Sequence, residues 1–168
     1  MQHSQRIVPA LFLIVVSTSL SAPGSSGAAS TRTNRATLST TGQAVAPPHA
    51  PATVRDLIAA GNRIARTPYA FGGGHAGFEA SAYDCSGSVS FVLHAAGLLD
   101  APIDSSHLAA WGTAGAGRWI SIYANRGHAY LTVAGLRFDT SARHRTGNRW
   151  TTIQRLAHGY RVRHAPRL

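Results

Sequence analysis

The tetrapeptide Asp84-Cys85-Ser86-Gly87 holds the chain's single cysteine at the point where an apolar helical pattern begins. Asp84 is placed to cap a helix with its carboxylate, and Val89, Val92, Leu93 and Ala96 then fall on one helical face before Gly97 ends the pattern. The Cys85 sulfur therefore belongs in a first turn, where unsatisfied N–H groups and the helix dipole favour thiolate over thiol. A thiolate so placed attacks carbonyl carbon. The bland alternative is a small buried hydrophobe, the commoner fate of a lone cysteine. Ser86, Gly87 and Ser88 are small enough to leave room for a substrate, and this favours the nucleophile.

A cysteine nucleophile needs a base, and the base needs a group to orient it. His128 opens a strand pattern directly after Gly127, so its ring can point over a sheet edge toward a helix start. Asp139 lies eleven positions later on the strand that returns through a turn at Ala134-Gly135, which brings the two side chains roughly opposite each other. A solvated turn histidine is the alternative for His128, one of nine histidines. Thr140, by adjacency, and Asp104, from a loop able to fold over the cleft, compete with Asp139 for the orienting role. No cofactor is implied. Gly72-Gly73-Gly74 lacks the lysine-serine or lysine-threonine pair of a phosphate loop, and no histidine pair has metal-ligand spacing beside a second acid or thiolate.

These residues need elements to hold them. A helix is predicted from Thr53, as N-cap with Asp56 three residues on, through Val54, Leu57, Ile58, Gly61 and Ile64, stopping at Thr67-Pro68 because the residue before a proline is driven out of helical geometry. Tyr69-Ala70-Phe71 then runs into three glycines that suit a tight turn or the wall of a groove. After the Cys85 helix come a loop to Ser106, a short helical turn over His107 to Trp111, and strands at Trp119 to Tyr123, His128 to Ala134 and Leu136 to Asp139. Ile153, Leu156, Tyr160 and Val162 offer a last strand or a cover. Helices followed by an antiparallel meander define an α+β domain.

Sixteen basic residues, all arginine, against six acids give a net charge of +10, which attracts polyanions: nucleic acid, anionic wall polymer or a membrane surface. The N-terminus favours the wall. Arg6 precedes an apolar run from Ile7 to Val16 that is too short to span a membrane, and small residues follow. Residues 1–28 are therefore read as a secretory signal peptide, with a retained anchor as the alternative. Residues 29–52, rich in Ser, Thr and Pro without apolar period, are read as a disordered linker. Residues 53–168 form the catalytic domain, ending in a basic tail with seven arginines from Ser141 onward. A secreted or cell-envelope location is expected, with no membrane span after signal cleavage. Nucleic acid is disfavoured, because the tail arginines have few stacking aromatics among them.

The motifs together resemble the NlpC/P60 family of cell-wall hydrolases, a permuted branch of the papain-like cysteine peptidases. Thr67-Pro68-Tyr69-Ala70-Phe71-Gly72-Gly73 is similar to its Pro-Tyr-x-Trp-Gly-Gly segment, Asp84-Cys85-Ser86-Gly87 to its nucleophile motif, and Gly127-His128-Ala129-Tyr130-Leu131 to its His-Val-Gly-Ile-Tyr strand. The resemblance covers residues 53 to 140. It implies a permuted papain-like fold with N-terminal helices packed on a small antiparallel sheet. It implies catalysis by Cys85, His128 and Asp139, and substrate contacts from Tyr69, Asp84, Ser86 and Gly87. The implied reaction is hydrolysis of an amide bond in peptidoglycan stem peptides through a thioester, by a protein expected to be monomeric. The chain departs from the family in lacking the acid of the Gly-Asp-Leu-Val-Phe-Phe segment at Gly117 to Ile122, in the insert from His75 to Tyr83, and in having aspartate at 139. Two other readings stay open. A cysteine acyltransferase would use the same residues, and an envelope-binding protein would use the cleft and the arginines without turnover.

Overall fold

The computed structural model describes residues 34–168. The expected signal peptide, 1–28, and the first residues of the expected linker, 29–33, lie outside the described residues. Among the described residues no helix is long and apolar enough to cross a membrane.

The part of the expected linker that is described is not disordered, which corrects the reading of 29–52. It forms a hairpin of β1 (Thr37–Leu38) and β2 (Ala44–Val45), paired antiparallel, with Ala36, Ala44 and Ala50 buried. Its apolar signal is weak because it is held by polar groups from later in the chain. The Asn62 side chain bonds both the N–H and the C=O of Ala44 at 2.9 Å, Asn148 Nδ2 donates to Gly42 O at 2.8 Å, and Ala36 N donates to Ala134 O at 2.8 Å. The folded domain thus begins before the Thr53 boundary.

Helix α1 (Ala52–Ile64) starts two residues earlier than the capping pattern implies: Pro51 is the N-cap, without a side-chain bond, and its carbonyl accepts from Val54 and Arg55. A proline preset near helical φ fills that role, so Thr53 is inside the helix. Val54, Leu57, Ile58, Ala60, Gly61 and Ile64 face the core. Helix α2 (Cys85–Ala95) is capped by Asp84, whose carboxylate accepts from Gly87 N at 2.7 Å. It ends as expected at Gly97, in the left-handed region at φ +71°, with Gly97 N bonded to His94 O and Leu98 N to Leu93 O. Every residue from Ser86 to Leu93 is buried, so α2 is a central helix and not an amphipathic one. Helix α3 (Ser105–Leu108) is a single turn capped by Asp104.

The remaining strands are β3 (Thr113–Ala114), β4 (Ile120–Ala124), β5 (Ala129–Val133), β6 (Leu136–Phe138), β7 (Trp150–Thr151) and β8 (Arg161–His164), with α4 (Thr140–Thr146) between β6 and β7. They form a six-stranded antiparallel sheet in the order β3-β8-β4-β5-β6-β7. The protein is therefore α+β, with α1 and α2 packed on the sheet through Val54, Leu57, Val89, Val92, Leu93, Ile122, Leu131, Val133 and Phe138. The predicted meander is β4-β5-β6, and the 160s supply a last strand, β8, inserted beside β4. Ala134 and Gly135, both at positive φ (46° and 83°), make the two-residue turn that sets the β5–β6 register at Val133↔Leu136.

Gly61 tests how tightly α1 sits. A Cβ there would lie 2.4 Å from Trp150 Cζ2. Alanine gains about 1 kcal/mol of helix propensity, while overpacking costs about 1–3 kcal/mol. We expect Gly61→Ala to lower the denaturant midpoint; a raised midpoint would show that Trp150 yields without cost.

Candidate active site

Cys85 sits in the first residue of α2, half-buried, at the floor of a cleft of about 430 Å³. Among the described residues, no protein acceptor takes the backbone N–H of Cys85 or of Ser86. These donors remain at the helix start as the N-terminal geometry requires.

His128 immediately precedes β5, and its position is set from below by Asn125, whose Oδ1 accepts from both Gly127 N and His128 N at 2.9 Å. His128 Nε2 stands 3.0 Å from Asp139 Oδ1. Cys85 is the ring's other charged neighbour, and each of the two side chains favours the ionised form of the other. In the sheet register Asp139 continues opposite Tyr130, so His128 and Asp139 are diagonal neighbours on one face and not directly opposed. Asp139 is fully buried. Its Oδ1 also accepts from Ser141 N at 2.8 Å, while Oδ2 lies 3.4 Å from Arg137 Nε and 3.5 Å from Arg155 Nη1.

These contacts determine the charges. Burial alone would raise the Asp139 pKa, but hydrogen bonds from His128 and Ser141 hold it at about 2. Burial alone would lower that of His128; bonds to Asp139 and Cys85 instead raise it to about 9. Burial opposes ionisation of Cys85, and the hydrogen bonds from His128 and from the Ala129 N–H outweigh it, leaving the thiol below its ordinary value. Both shifts favour the thiolate–imidazolium pair over the neutral one.

The expected residues divide into three groups. Cys85, His128 and Asp139 come together, His128 bonded to Asp139 and electrostatically coupled to Cys85. Tyr69, 52 % exposed, stands at the rim, and its phenol is raised by burial and by the neighbouring Cys85 and Asp84 charges, so it remains a donor. Asp84 and Ser86 line the cleft, but the Asp84 carboxylate is occupied by Gly87 N, Gly72 N at 3.1 Å and His75 Nε2 at 3.1 Å, so its visible work is to build the cleft wall. Gly87 does not line the cleft. A Cβ there would lie 2.0 Å from Gly73 O, so the glycine lets the Gly72–Gly74 loop close over α2, which is a packing role. Of the competing orienters, Asp104 is 3.0 Å from His107 as the α3 cap, and Thr140 opens α4.

Two side chains central to the site carry no sequence signal of their own. His75, in the insert, bonds Asp84 and approaches Ser86 Oγ at 3.2 Å on the cleft wall. Arg149, from the supposed basic tail, is completely buried; Nη1 donates to Ile64 O and Thr67 O at 2.6 Å, and Nη2 to Tyr83 O at 3.1 Å and Pro68 O at 3.4 Å. Its backbone carbonyl accepts from Asp139 N at 2.9 Å. Nothing in a run of arginines distinguishes the one that turns inward.

A second cavity of about 260 Å³, lined by Tyr69, His128, Thr140, Ser141, Arg143 and His144, shares Tyr69 with the first. Among the described residues no cluster of His, Cys, Asp and Glu is arranged to hold a metal. No protein-family model matches the chain, and no curated protein matches it.

Replacing Asp139 by Asn keeps an acceptor and removes a charge. The His128 pKa should fall from about 9, and with it the stabilisation of the Cys85 thiolate. Plotted against pH, the rate of Cys85 alkylation by iodoacetamide should rise at higher pH in Asp139→Asn than in the wild type. An unmoved profile, with a displaced one in Asp104→Asn, would transfer the orienting role to Asp104.

Proposed function

We propose that this protein is a cysteine hydrolase of the NlpC/P60 kind, cleaving an amide bond in peptidoglycan stem peptides. The observation that carries the reading is the Cys85–His128–Asp139 series: a half-buried nucleophile at a helix start, a raised imidazole beside it and a carboxylate held ionised behind that. The α+β architecture is compatible with a permuted papain-like domain, and the motifs that resemble the family's lie at the start of α2, in the 68–74 loop and at the turn into β5, all of which line the cleft.

The chemistry follows from the charges. The Cys85 thiolate attacks the carbonyl carbon of the scissile amide. The oxygen takes the negative charge and is met by the Cys85 backbone N–H, an interaction worth about 3–4 kcal/mol in such transition states. Tyr69, still protonated, is the side-chain donor at the same rim. His128 gives its proton to the amide nitrogen, the C–N bond breaks, and the amine leaves with the acyl group held as a thioester. A water molecule then attacks the thioester while His128 takes its proton, the carboxylic acid departs and the thiolate returns. The cleft over Cys85 and the cavity beside His128, which share Tyr69, give acyl and amine portions separate places, as an extended substrate requires. Export to the cell envelope is part of this proposal, on the N-terminal sequence pattern.

Cys85→Ala should abolish release of soluble fragments from purified peptidoglycan, by at least about a thousandfold, with an unchanged circular dichroism spectrum. Fragment masses from the wild type identify the scissile bond. Undiminished release by Cys85→Ala would refute the cysteine-hydrolase reading, and thioester formation with transfer to added amine in place of water would establish an acyltransferase.

A further inference from the structure

The two oxygens of the Asp139 carboxylate face different partners. Oδ1 accepts from Ser141 N at 2.8 Å and stands 3.0 Å from His128 Nε2, while Oδ2 lies 3.4 Å from Arg137 Nε and 3.5 Å from Arg155 Nη1. Arg137 is buried in β6 and belongs to the sheet. Arg155 does not. It comes from residues 152–160, which contain no helix or strand, and its side chain is 37 % exposed against 0 % for Asp139.

An exposed arginine usually contributes little to a carboxylate, because ordering a long side chain costs entropy and water screens the pair. Arg155 is ordered by other contacts. Its guanidinium carbon lies over the Tyr130 ring at 5.7 Å and over the Tyr160 ring at 5.2 Å, and those two rings meet edge to face at 5.2 Å. Its Nη1 is also 3.5 Å from Ser141 Oγ. Tyr160 in turn stands edge-on to His128, with ring centroids 6.4 Å apart at 71°. Arg155 therefore touches both what lies behind the imidazole, Asp139 Oδ2, and a ring that borders it.

We infer that Arg155 is a positioning residue for His128: clamped by Tyr130 and Tyr160, its guanidinium occupies Asp139 Oδ2, leaves Oδ1 to the imidazole, and takes up part of the carboxylate's charge. The consequence is a limit on how firmly Asp139 holds the imidazolium. A histidine that gives its proton to a leaving amine works best with a pKa near the working pH, and that of His128 is already raised to about 9. A carboxylate with its whole charge turned on the ring would raise it further. The other titratable groups around His128 are Cys85 from α2, Tyr130 from β5, Tyr160, and Tyr69, Arg143 and His144, which share a cavity with it. Of the two arginines on Asp139, Arg155 is the one whose charge can be removed without emptying a buried position. The inference rests on the reading of Cys85, His128 and Asp139 as the reactive residues, and not on which amide they cleave.

The test is an NMR titration of the His128 imidazole in the full chain, in a Cys85→Ala background so that one proton and not a coupled pair is followed. The His128 signal is identified by its loss in His128→Gln. Arg155→Gln should move the His128 midpoint upward by about 0.5–1 pH unit, the effect of losing a partly exposed cation. Arg155→Lys should recover part of the difference. Tyr160→Phe, which keeps the ring, should titrate like the parent, and Tyr160→Ala, which releases the clamp, should move the midpoint upward as Arg155→Gln does. In an Asp139→Asn background the effect of Arg155→Gln should shrink by more than about half, because the carboxylate through which it acts is gone. An unmoved or lowered midpoint in Arg155→Gln or Tyr160→Ala, or an equal effect of Arg155→Gln with and without the Asp139 carboxylate, overturns the role. Release of fragments from peptidoglycan plays no part in this readout, so failure of the hydrolase reading and failure of this one are separate results.

Discussion

The guanidinium of Arg149 is the interaction on which the rest depends. It is fully buried, among the described residues it has no carboxylate partner, and burial lowers its pKa to about 10. What keeps it there is a ring of four backbone carbonyls at Ile64, Thr67, Pro68 and Tyr83. Each of those oxygens belongs to chain that has just left one element and is about to enter the site. Ile64 ends α1, Thr67 and Pro68 lead to Tyr69, and Tyr83 leads to the Asp84 cap and Cys85. Removing the side chain would leave several buried acceptors without donors, each a cost of about 1–3 kcal/mol. Because the Arg149 carbonyl also accepts from Asp139 N, one residue joins the nucleophile's approach to the orienting carboxylate's strand.

The second constraint is close backbone approach around α2. Gly87 admits Gly73 O, Gly74 sits against the Tyr83 ring, and the Asp84 carboxylate gathers N–H groups from both the loop and the helix. The cleft wall is thus main chain pressed on main chain, which gives a rigid surface without large side chains. Tyr83 completes it from beneath, with its hydroxyl donating to Phe78 O at 2.7 Å and accepting from Ala80 N at 3.0 Å, and this ties down the insert between the glycines and the cysteine.

What the sequence reveals follows the range of the forces involved. The Asp84 cap, the Gly97 stop, the Ala134-Gly135 turn and the β4-β5-β6 meander are local matters of capping, φ and alternation, and all are legible in a few neighbouring residues. So is the nearness of His128 and Asp139 across that turn, though the sequence reading set them opposite and the register makes them diagonal. The β1–β2 hairpin is not legible, since Asn62 and Asn148 that hold it are distant in sequence and its own residues are those of a linker. The short helix α4 and the strands β3 and β7 are equally hidden: two-residue strands carry no period, and α4 is a polar segment anchored by the Asp139 cap. The basic tail is misleading for a related reason. Arg149 is internal and Arg163 bonds the carbonyls of Ala110, Trp111 and Gly112, so part of the charge that reads as solvated surface is structural.

Cys85 belongs to the helical layer, whereas His128 and Asp139 belong to the sheet. The separation between sulfur and imidazole is therefore a spacing between two packed layers, fixed by Val89 and Val92 on one side and Leu131 and Phe138 on the other. A protein built this way carries its own strain gauge. A core substitution that opens or shears the helix–sheet interface by a fraction of an ångström registers in the ionisation of one thiol, far from where the side chain was changed.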